Sequence, residues 1–81
     1  MRTQGENLSQ RTADTLRQMI LEKEVYTFGE KLPNENELSD KLGISRTTLR
    51  EAIRTLVSEG ILVVQRGKGT FVAEQADRLA D

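Results

Sequence analysis

The strongest restriction on the fold comes from residues 34–60, where two helix signals are separated by a very short break. Asn34, with Glu37 three residues later, is typical of a helix N-terminus, because each side chain can satisfy an otherwise unpaired backbone N–H of the first turn. Gly43 ends this short helix, since glycine adopts the left-handed conformation without a Cβ clash. Ser45 is then placed to cap a longer helix. A short helix, a tight turn and a longer helix predict a helix-turn-helix.

The remaining apolar pattern predicts one helix before this unit and a hairpin after it. From Ser9, the expected N-cap, apolar side chains recur every three or four residues, which is typical of an amphipathic helix. The third helix, over 45–59, ends before Gly60, and residues 61–72 then read as two β-rich runs around a glycine-containing turn. Residues 31–32 are expected to form a brief strand. The predicted fold is mainly α with a small β-hairpin: a winged helix-turn-helix of three helices plus a wing.

Apolar residues at these spacings are predicted to form a single small core. Tyr26 and Phe28 have two interpretations: they pack beneath the second helix, or an exposed aromatic ring beside a loop contacts a partner. We favour the core for both. The other predicted core residues are Leu16, Ile20, Leu38, Leu42, Leu49, Ile53, Leu56 and Phe71.

Length and composition exclude several classes of protein. A chain of 81 residues supports at most one domain, and we expect a flexible tail at 1–8, the folded domain at 9–73 and an acidic, polar linker at 74–81. Cysteine and histidine are both absent, which excludes disulfides, Cys/His zinc sites and Cys or His nucleophiles. We therefore expect no catalytic residues, metal or cofactor. No apolar run approaches membrane-spanning length, so we expect a cytoplasmic protein without membrane contact.

The charges are strongly segregated although the net charge is only -1. Residues 1–42 carry six basic and eight acidic groups, residues 43–72 carry five and two, and residues 73–81 carry one and three. The middle segment therefore has a charge of +3 between two segments of -2 each. A nearly neutral domain can in this way present one basic face to phosphate groups.

The third helix carries its basic residues on the face opposite its apolar stripe. A 100° helical wheel places Thr47, Arg50 and Arg54 on that face and Arg46 on its N-terminal flank. The N-terminal residues of a recognition helix reach base edges in the major groove, and an Arg bidentate to guanine is worth roughly 1–3 kcal/mol of discrimination. The alternative is a solvated helix face, but the three arginines outnumber the acidic residues of this helix.

The turn of the hairpin offers a second basic element. Gly67 and Gly69 alone are weak evidence, because any tight hairpin uses glycines to reach positive φ. Lys68 between them is more informative, since a cation at a hairpin tip can enter the minor groove or approach phosphates closely. The alternative is an ordinary solvated turn.

Taken in order, these motifs closely resemble the GntR family of bacterial regulators, specifically its N-terminal domain, from about residue 10 to 73. The resemblance implies a winged helix that binds inverted-repeat operators in double-stranded DNA as a homodimer. It also implies a C-terminal domain, absent from this chain, that senses a small molecule. The matching segments are 29–33 (GEKLP), 35–38 (ENEL), 42–52 (LGISRTTLREA), Leu56, 59–60 (EG) and 66–72 (RGKGTFV).

Roles in DNA contact are carried over position by position from the resemblance, with Arg46 and Arg50 as the strongest candidates. The chain departs from the usual pattern at Asn36, where the family often has a DNA-contacting Arg, and at Glu24 and Phe28, where Gly and Pro are common. Asn36 lacks the charge but could still bond a phosphate. The complete set of DNA-binding candidates is Asn36, Ser45, Arg46, Thr47, Thr48, Arg50, Arg54, Arg66, Gly67, Lys68, Gly69 and Thr70.

Two functions thus follow from the sequence. The first is sequence-specific binding of double-stranded DNA for transcription regulation, with helix 45–59 in the major groove and wing 61–72 at the minor groove or backbone. The second is a winged helix that binds proteins, in which the Arg face pairs with an acidic partner. An enzyme is not expected, because no constellation of catalytic side chains is present.

Overall fold

The fold was taken from a computed structural model that describes residues 4–74, with side chains from residue 8 onward. Within this range, three helices precede one antiparallel hairpin, and the predicted winged helix-turn-helix is confirmed. The elements are α1 (Gln4–Leu21), α2 (Glu35–Leu42), α3 (Arg46–Ser58), β1 (Leu62–Gln65) and β2 (Gly69–Val72).

The start of α1 differs from the sequence prediction. The helix begins at Gln4 rather than at a cap on Ser9, so residues 4–8, which were expected to belong to a flexible tail, are helical. Gln, Glu and Leu are good helix formers, and the single Gly5 in this stretch does not stop the helix. The rest of that tail, residues 1–3, and most of the expected linker, residues 75–81, lie outside the described residues. The domain limits at 9 and 73 stay predictions.

Both helices of the helix-turn-helix have the predicted caps. The side chain of Asn34 accepts a hydrogen bond from the backbone N–H of Glu37 at 2.9 Å, and that of Ser45 accepts one from the N–H of Thr48 at 3.1 Å. Gly43 has φ of 71°, as a left-handed C-cap requires. Glu37 makes no return bond with its side chain in the described part of the chain, so the cap of α2 is formed from one side only. The turn between the helices is therefore short and locally determined.

The core lies where α3 packs between α1, α2 and the hairpin. Leu16, Leu38, Leu49 and Leu56 are fully buried, as predicted from their spacing. Fully burying a leucine side chain stabilises the folded state by about 1.5–3 kcal/mol. The predicted core residues Leu42, Ile53 and Phe71 are only partly buried; the first two pack against the core cluster, whereas Phe71 lies outside it.

The two aromatic residues of the loop before α2 have different environments. Tyr26 is buried in the core, as favoured from the sequence, but Phe28 is 43% exposed and its assignment to the core was wrong. The backbone N–H of Glu30 donates to the carbonyl of Thr27, which closes a β-turn with Phe28 and Gly29 at its corners. Gly29 has the positive φ, 82°, that the third position of a type II turn requires. A corner side chain of such a turn projects away from the core.

The wing is attached to the helical body along both of its strands. In the hairpin, Leu62 pairs with Val72 and Gln65 with Gly69, and the backbone N–H of Ile61 donates to the carbonyl of Leu56 in α3. The brief strand expected at 31–32 is a single bridge to the outer side of β2. The hairpin is thus held on two sides, and this determines how the wing is oriented relative to α3.

Candidate nucleic-acid interface

The predicted recognition helix exposes the face that its periodicity indicated. Leu49, Ala52 and Leu56 are buried, so the opposite face of α3 is turned to solvent. Of the candidate contacts on this helix and at its cap, Thr48 is half-buried and the rest are exposed, namely Ser45, Arg46, Thr47, Arg50 and Arg54.

Asn36 lies next to Arg46, which brings two predicted contact residues together. The Nη1 atom of Arg46 donates a hydrogen bond to Oδ1 of Asn36 at 3.1 Å. The first turn of α2 therefore supports the N-terminal end of α3, where a side chain reaches deepest into a major groove. Asn36 stands where the family that the sequence resembles often has an arginine. In this chain its side-chain oxygen instead accepts a hydrogen bond from Arg46.

Arg50 also has a partner on α2, and this one was missed by the sequence analysis. Its Nε atom donates to Oε2 of Glu35 at 2.9 Å, and the two side chains are 54% and 40% exposed. Counting charges along α3 alone does not reveal this acidic partner. A partner fifteen positions earlier leaves no signal in helical spacing.

Two acidic residues belong to α3 and its C-cap, Glu51 and Glu59. In the part of the chain that the structure describes, neither forms an ion pair with an arginine of that helix. Glu59 instead accepts two hydrogen bonds from Nη2 of Arg17 in α1, at 2.8 and 2.9 Å. Hydrogen bonding to Glu59, first among several causes, raises the pKa of Arg17 above its already high ordinary value. Glu51 forms no ion pair among the described residues. The C-terminal end of α3 is thereby tied to α1.

Between α3 and the wing lies an open groove of about 720 Å³, which is lined by most of the predicted contact residues. Ile53, Val57 and Val64 give it an apolar surface. Its charged lining residues are five cations and one acid: Lys31, Arg50, Arg54, Arg66, Lys68 and Glu35. The groove therefore carries a local excess of four positive charges, in a chain whose net charge is -1.

Lys31 is a further cation of this groove that the sequence analysis did not single out. The backbone N–H of Leu32 donates to the carbonyl of Thr70 at 2.8 Å, so this segment runs beside β2. The Cε atom of Lys31 lies 2.7 Å from the position that a Cβ on Gly69 would occupy. A Cβ there would make the flexible end of Lys31 shift, and the φ of 130° disfavours residues other than glycine. The backbone conformation at Gly69 thus favours glycine, and Lys31 packs beside it.

The tip of the wing is open to solvent. Gly67 has φ of 76°, with nothing within 4 Å of a Cβ built on it, and the backbone N–H of Lys68 donates to the carbonyl of Gln65 at 2.8 Å to close the turn. Arg66 and Lys68 are exposed and form no ion pair among the described residues. The tip can thus approach another molecule closely with two unpaired cations.

Comparison with protein families gives one match that covers most of the chain. The model of the family described as "Bacterial regulatory proteins, gntR family" matches residues 8–72. This chain belongs to the GntR family. Membership confirms the resemblance seen in the sequence, and with it a DNA-binding domain of transcription regulators rather than an enzyme.

The chain is similar to one part of longer GntR regulators. A regulatory protein of Escherichia coli strain K12 that is named for the L-lactate dehydrogenase operon is 49% identical over 70 residues, which are 86% of this chain and 27% of that protein. A Haemophilus influenzae Uxu operon regulator is 34% identical over 98% of this chain and 31% of its own length. The chain thus spans about a quarter to a third of the curated relatives that it matches.

Solved structures give the same fold. The DNA-binding domain of AraR in complex with operator ORE1 has a TM-score of 0.74 and 36% identity, and the match covers 82% of this chain and 79% of that domain. That structure supports the assignment of the GntR domain to DNA. No helix in the part of the chain described here is long and apolar enough to cross a bilayer.

Proposed function

We propose that this GntR domain reads an operator sequence with the N-terminal end of α3 and holds the DNA backbone with the wing. The observation that carries the proposal is the convergence of five cations on one groove between α3 and the wing. A concentrated basic surface is the electrostatic footprint of phosphate binding. The recognition helix and the wing tip flank this groove, so one duplex can contact both.

The arginines at the start of α3 are assigned to base reading. Arg46 and Arg50 each keep guanidinium N–H groups beyond the one bonded to α2, and a guanidinium edge fits O6 and N7 of guanine. Ser45, Thr47 and Thr48 supply hydroxyl groups near the positive end of the helix, where a backbone phosphate binds favourably. Arg54 and Asn36 complete this part of the predicted surface, Arg54 from one turn further along α3.

The wing and Lys31 are assigned to the DNA backbone or the minor groove. Lysine is a strongly hydrated point charge that distinguishes bases poorly, and an unpaired Lys68 at an exposed tip suits phosphate contact. Lys31 adds a charge at the base of the wing. The wing residues in this proposal are Arg66, Gly67, Lys68, Gly69 and Thr70.

The assembly around this domain is also part of the proposal. An inverted-repeat operator would be bound by two copies of the domain, because the symmetry of a palindromic site mirrors a protein dimer. Since the chain matches only 27% of a curated relative's length, we place dimerisation and effector sensing in a further C-terminal domain. The regulator would act in the cytoplasm, where bacterial DNA is found.

The decisive experiment is a selection of bound sequences from random duplexes, followed by salt titrations of the wild type and Arg50→Ala. We expect the selection to yield a common motif that the wild type binds more tightly than a scrambled duplex, and Arg50→Ala to lose part of this difference. Equal binding of motif and scrambled duplex by wild type and variant would overturn base reading. If an acidic protein bound the basic face and duplex DNA did not compete, the alternative of a protein-binding module would replace it.

A further inference from the structure

One of the charged residues that line the groove between α3 and the wing is acidic. It is hydrogen-bonded to Arg50, which is predicted to contact a base. Glu35, in the first turn of α2, accepts a hydrogen bond from Nε of Arg50 at 2.9 Å. Both side chains are partly exposed, at 40% and 54%. A carboxylate repels DNA phosphates, so its presence in a surface for nucleic acid requires a physical explanation.

The hydrogen bond restricts how Arg50 can approach DNA. A guanidinium group has five N–H donors in one plane. With Nε bonded to Glu35, the Nη1 and Nη2 atoms form the edge that remains for DNA, and the orientation of the plane is set by α2. An edge held in one orientation loses less side-chain entropy on binding a planar partner such as guanine.

The carboxylate of Glu35 also lowers the binding affinity that Arg50 gains by contacting a phosphate. An unpaired Arg gains affinity for any duplex by neutralising a phosphate and releasing counterions. Beside Glu35 the local charge is already compensated, so phosphate contact gains less. A guanine edge presents uncharged acceptors, N7 and O6, and the carboxylate repels it far less than it repels a phosphate. Glu35 therefore lowers the affinity for non-specific DNA more than it lowers the affinity for a site where Arg50 contacts guanine.

We propose that Glu35 is a specificity-determining residue that positions Arg50 and lowers the affinity of this domain for DNA of the wrong sequence. The proposal rests on the proposed function, in that Arg50 is taken to read a base. Glu35 itself need not touch DNA. Its contribution appears as the ratio between operator affinity and non-specific affinity.

The chain provides a matched control for testing this role. Glu37 lies in the same first turn of α2 and is also exposed, but its side chain forms no ion pair among the described residues. Glu35→Gln and Glu37→Gln thus make the same change in net charge and in the interaction with the helix dipole. They differ in two respects, since only Glu35 contacts Arg50 and only Glu35 lines the groove; a double mutant with Arg50→Ala separates these two effects. Affinities of both variants and the wild type are measured for the selected operator and a scrambled duplex of equal composition, over a range of salt concentrations.

We expect Glu35→Gln to raise affinity for the scrambled duplex roughly two- to fivefold more than Glu37→Gln does, a range set by the strength of an exposed ion pair. Its salt dependence on that duplex should steepen by up to about 0.9, the slope of one added phosphate contact. The ratio of operator to scrambled affinity should fall. Equal effects of the two variants would overturn the proposal, as would weaker binding of Glu35→Gln to both duplexes, which indicates a purely structural role.

A double mutant separates this inference from the proposed function. In the Arg50→Ala background, Glu35→Gln and Glu37→Gln should leave the ratio of operator to scrambled affinity equal, because the coupled partner is gone. A persistent difference would show that Glu35 acts without Arg50 and would overturn the inference. If the wild type itself did not discriminate between the two duplexes, the proposed function would fail first, whatever the variants did.

Discussion

The two basic regions of this domain, the N-terminal end of α3 and the tip of the wing, differ in how their cations are held. Arg46 and Arg50 are each hydrogen-bonded to a residue in the first turn of α2. Arg66 and Lys68 form no ion pair among the described residues and are exposed. Side chains held by neighbours suit base reading, which depends on geometry, whereas free cations suit phosphate contact, which depends mainly on charge.

The two regions also differ in how closely their backbone is joined to the core. The start of α3 is anchored by the cap on Ser45 and by the buried side chain of Leu49. In the wing, β1 is buried only at Leu62, and its next three residues are exposed. The start of α3 thus has a buried anchor that the tip of the wing lacks.

The largest expected effect is the loss of Arg46. Arg46→Ala should weaken binding to the selected operator by about 1–3 kcal/mol, or roughly five- to 150-fold, the value of one bidentate Arg–guanine contact. The scrambled duplex should lose much less. Fluorescence anisotropy titrations of both duplexes measure the difference. If Arg46→Ala weakened binding to both duplexes equally, Arg46 would contact a phosphate, as proposed for the wing. The proposed difference between the two regions would then be wrong.

A smaller effect is expected when Arg46 is kept but loses its support. Asn36→Ala removes the acceptor at 3.1 Å and should weaken operator binding by about 0.5–1.5 kcal/mol, the net value of an ordinary hydrogen bond. In the Arg46→Ala background the same change should have no further effect on operator affinity. An additive loss there, measured in the same titrations, would mean that Asn36 contacts DNA directly. Thermal unfolding of each variant checks that α2 remains folded.

The smallest effect is expected in the wing at high salt, because the affinity gained from one phosphate contact falls as the salt concentration rises. Lys68→Ala should weaken binding to operator and scrambled duplex alike and lower the salt slope by about 0.9, as does the loss of one phosphate contact. Lys31→Ala should behave in the same way, since Lys31 lines the same groove. Lys41→Ala is the matched control, because this exposed lysine at the end of α2 lies outside the groove. A loss confined to the operator would mean that the wing reads sequence as well.

Much of the fold followed from local patterns. The caps at Asn34, Ser45 and Gly43 were predicted correctly because each depends on a side chain or a backbone angle within a few residues of the helix end. The exposed face of α3 followed from its period. The start of α1 and the exposure of Phe28 were predicted wrongly. No strong helix breaker before Ser9 marks where α1 begins. No sequence pattern shows in which direction a side chain at the corner of a turn points.

The candidate site was predicted as a set of residues but not as an arrangement. The sequence determined which side chains are basic, which face of α3 they occupy and that Gly67 and Gly69 bracket a cation. It also carried the ordered motifs by which the chain was related to the GntR family.

Tertiary structure alone decided which charges are paired and which remain free. Arg46 meets Asn36 ten positions away, Arg50 meets Glu35 fifteen away, and Arg17 of α1 meets Glu59 forty-two away. Lys31 approaches Gly69 because backbone hydrogen bonds join its segment to β2. Helical and strand periods describe neighbours within one element. Contacts between elements depend on how the core packs them together, so no local pattern in the sequence specifies them.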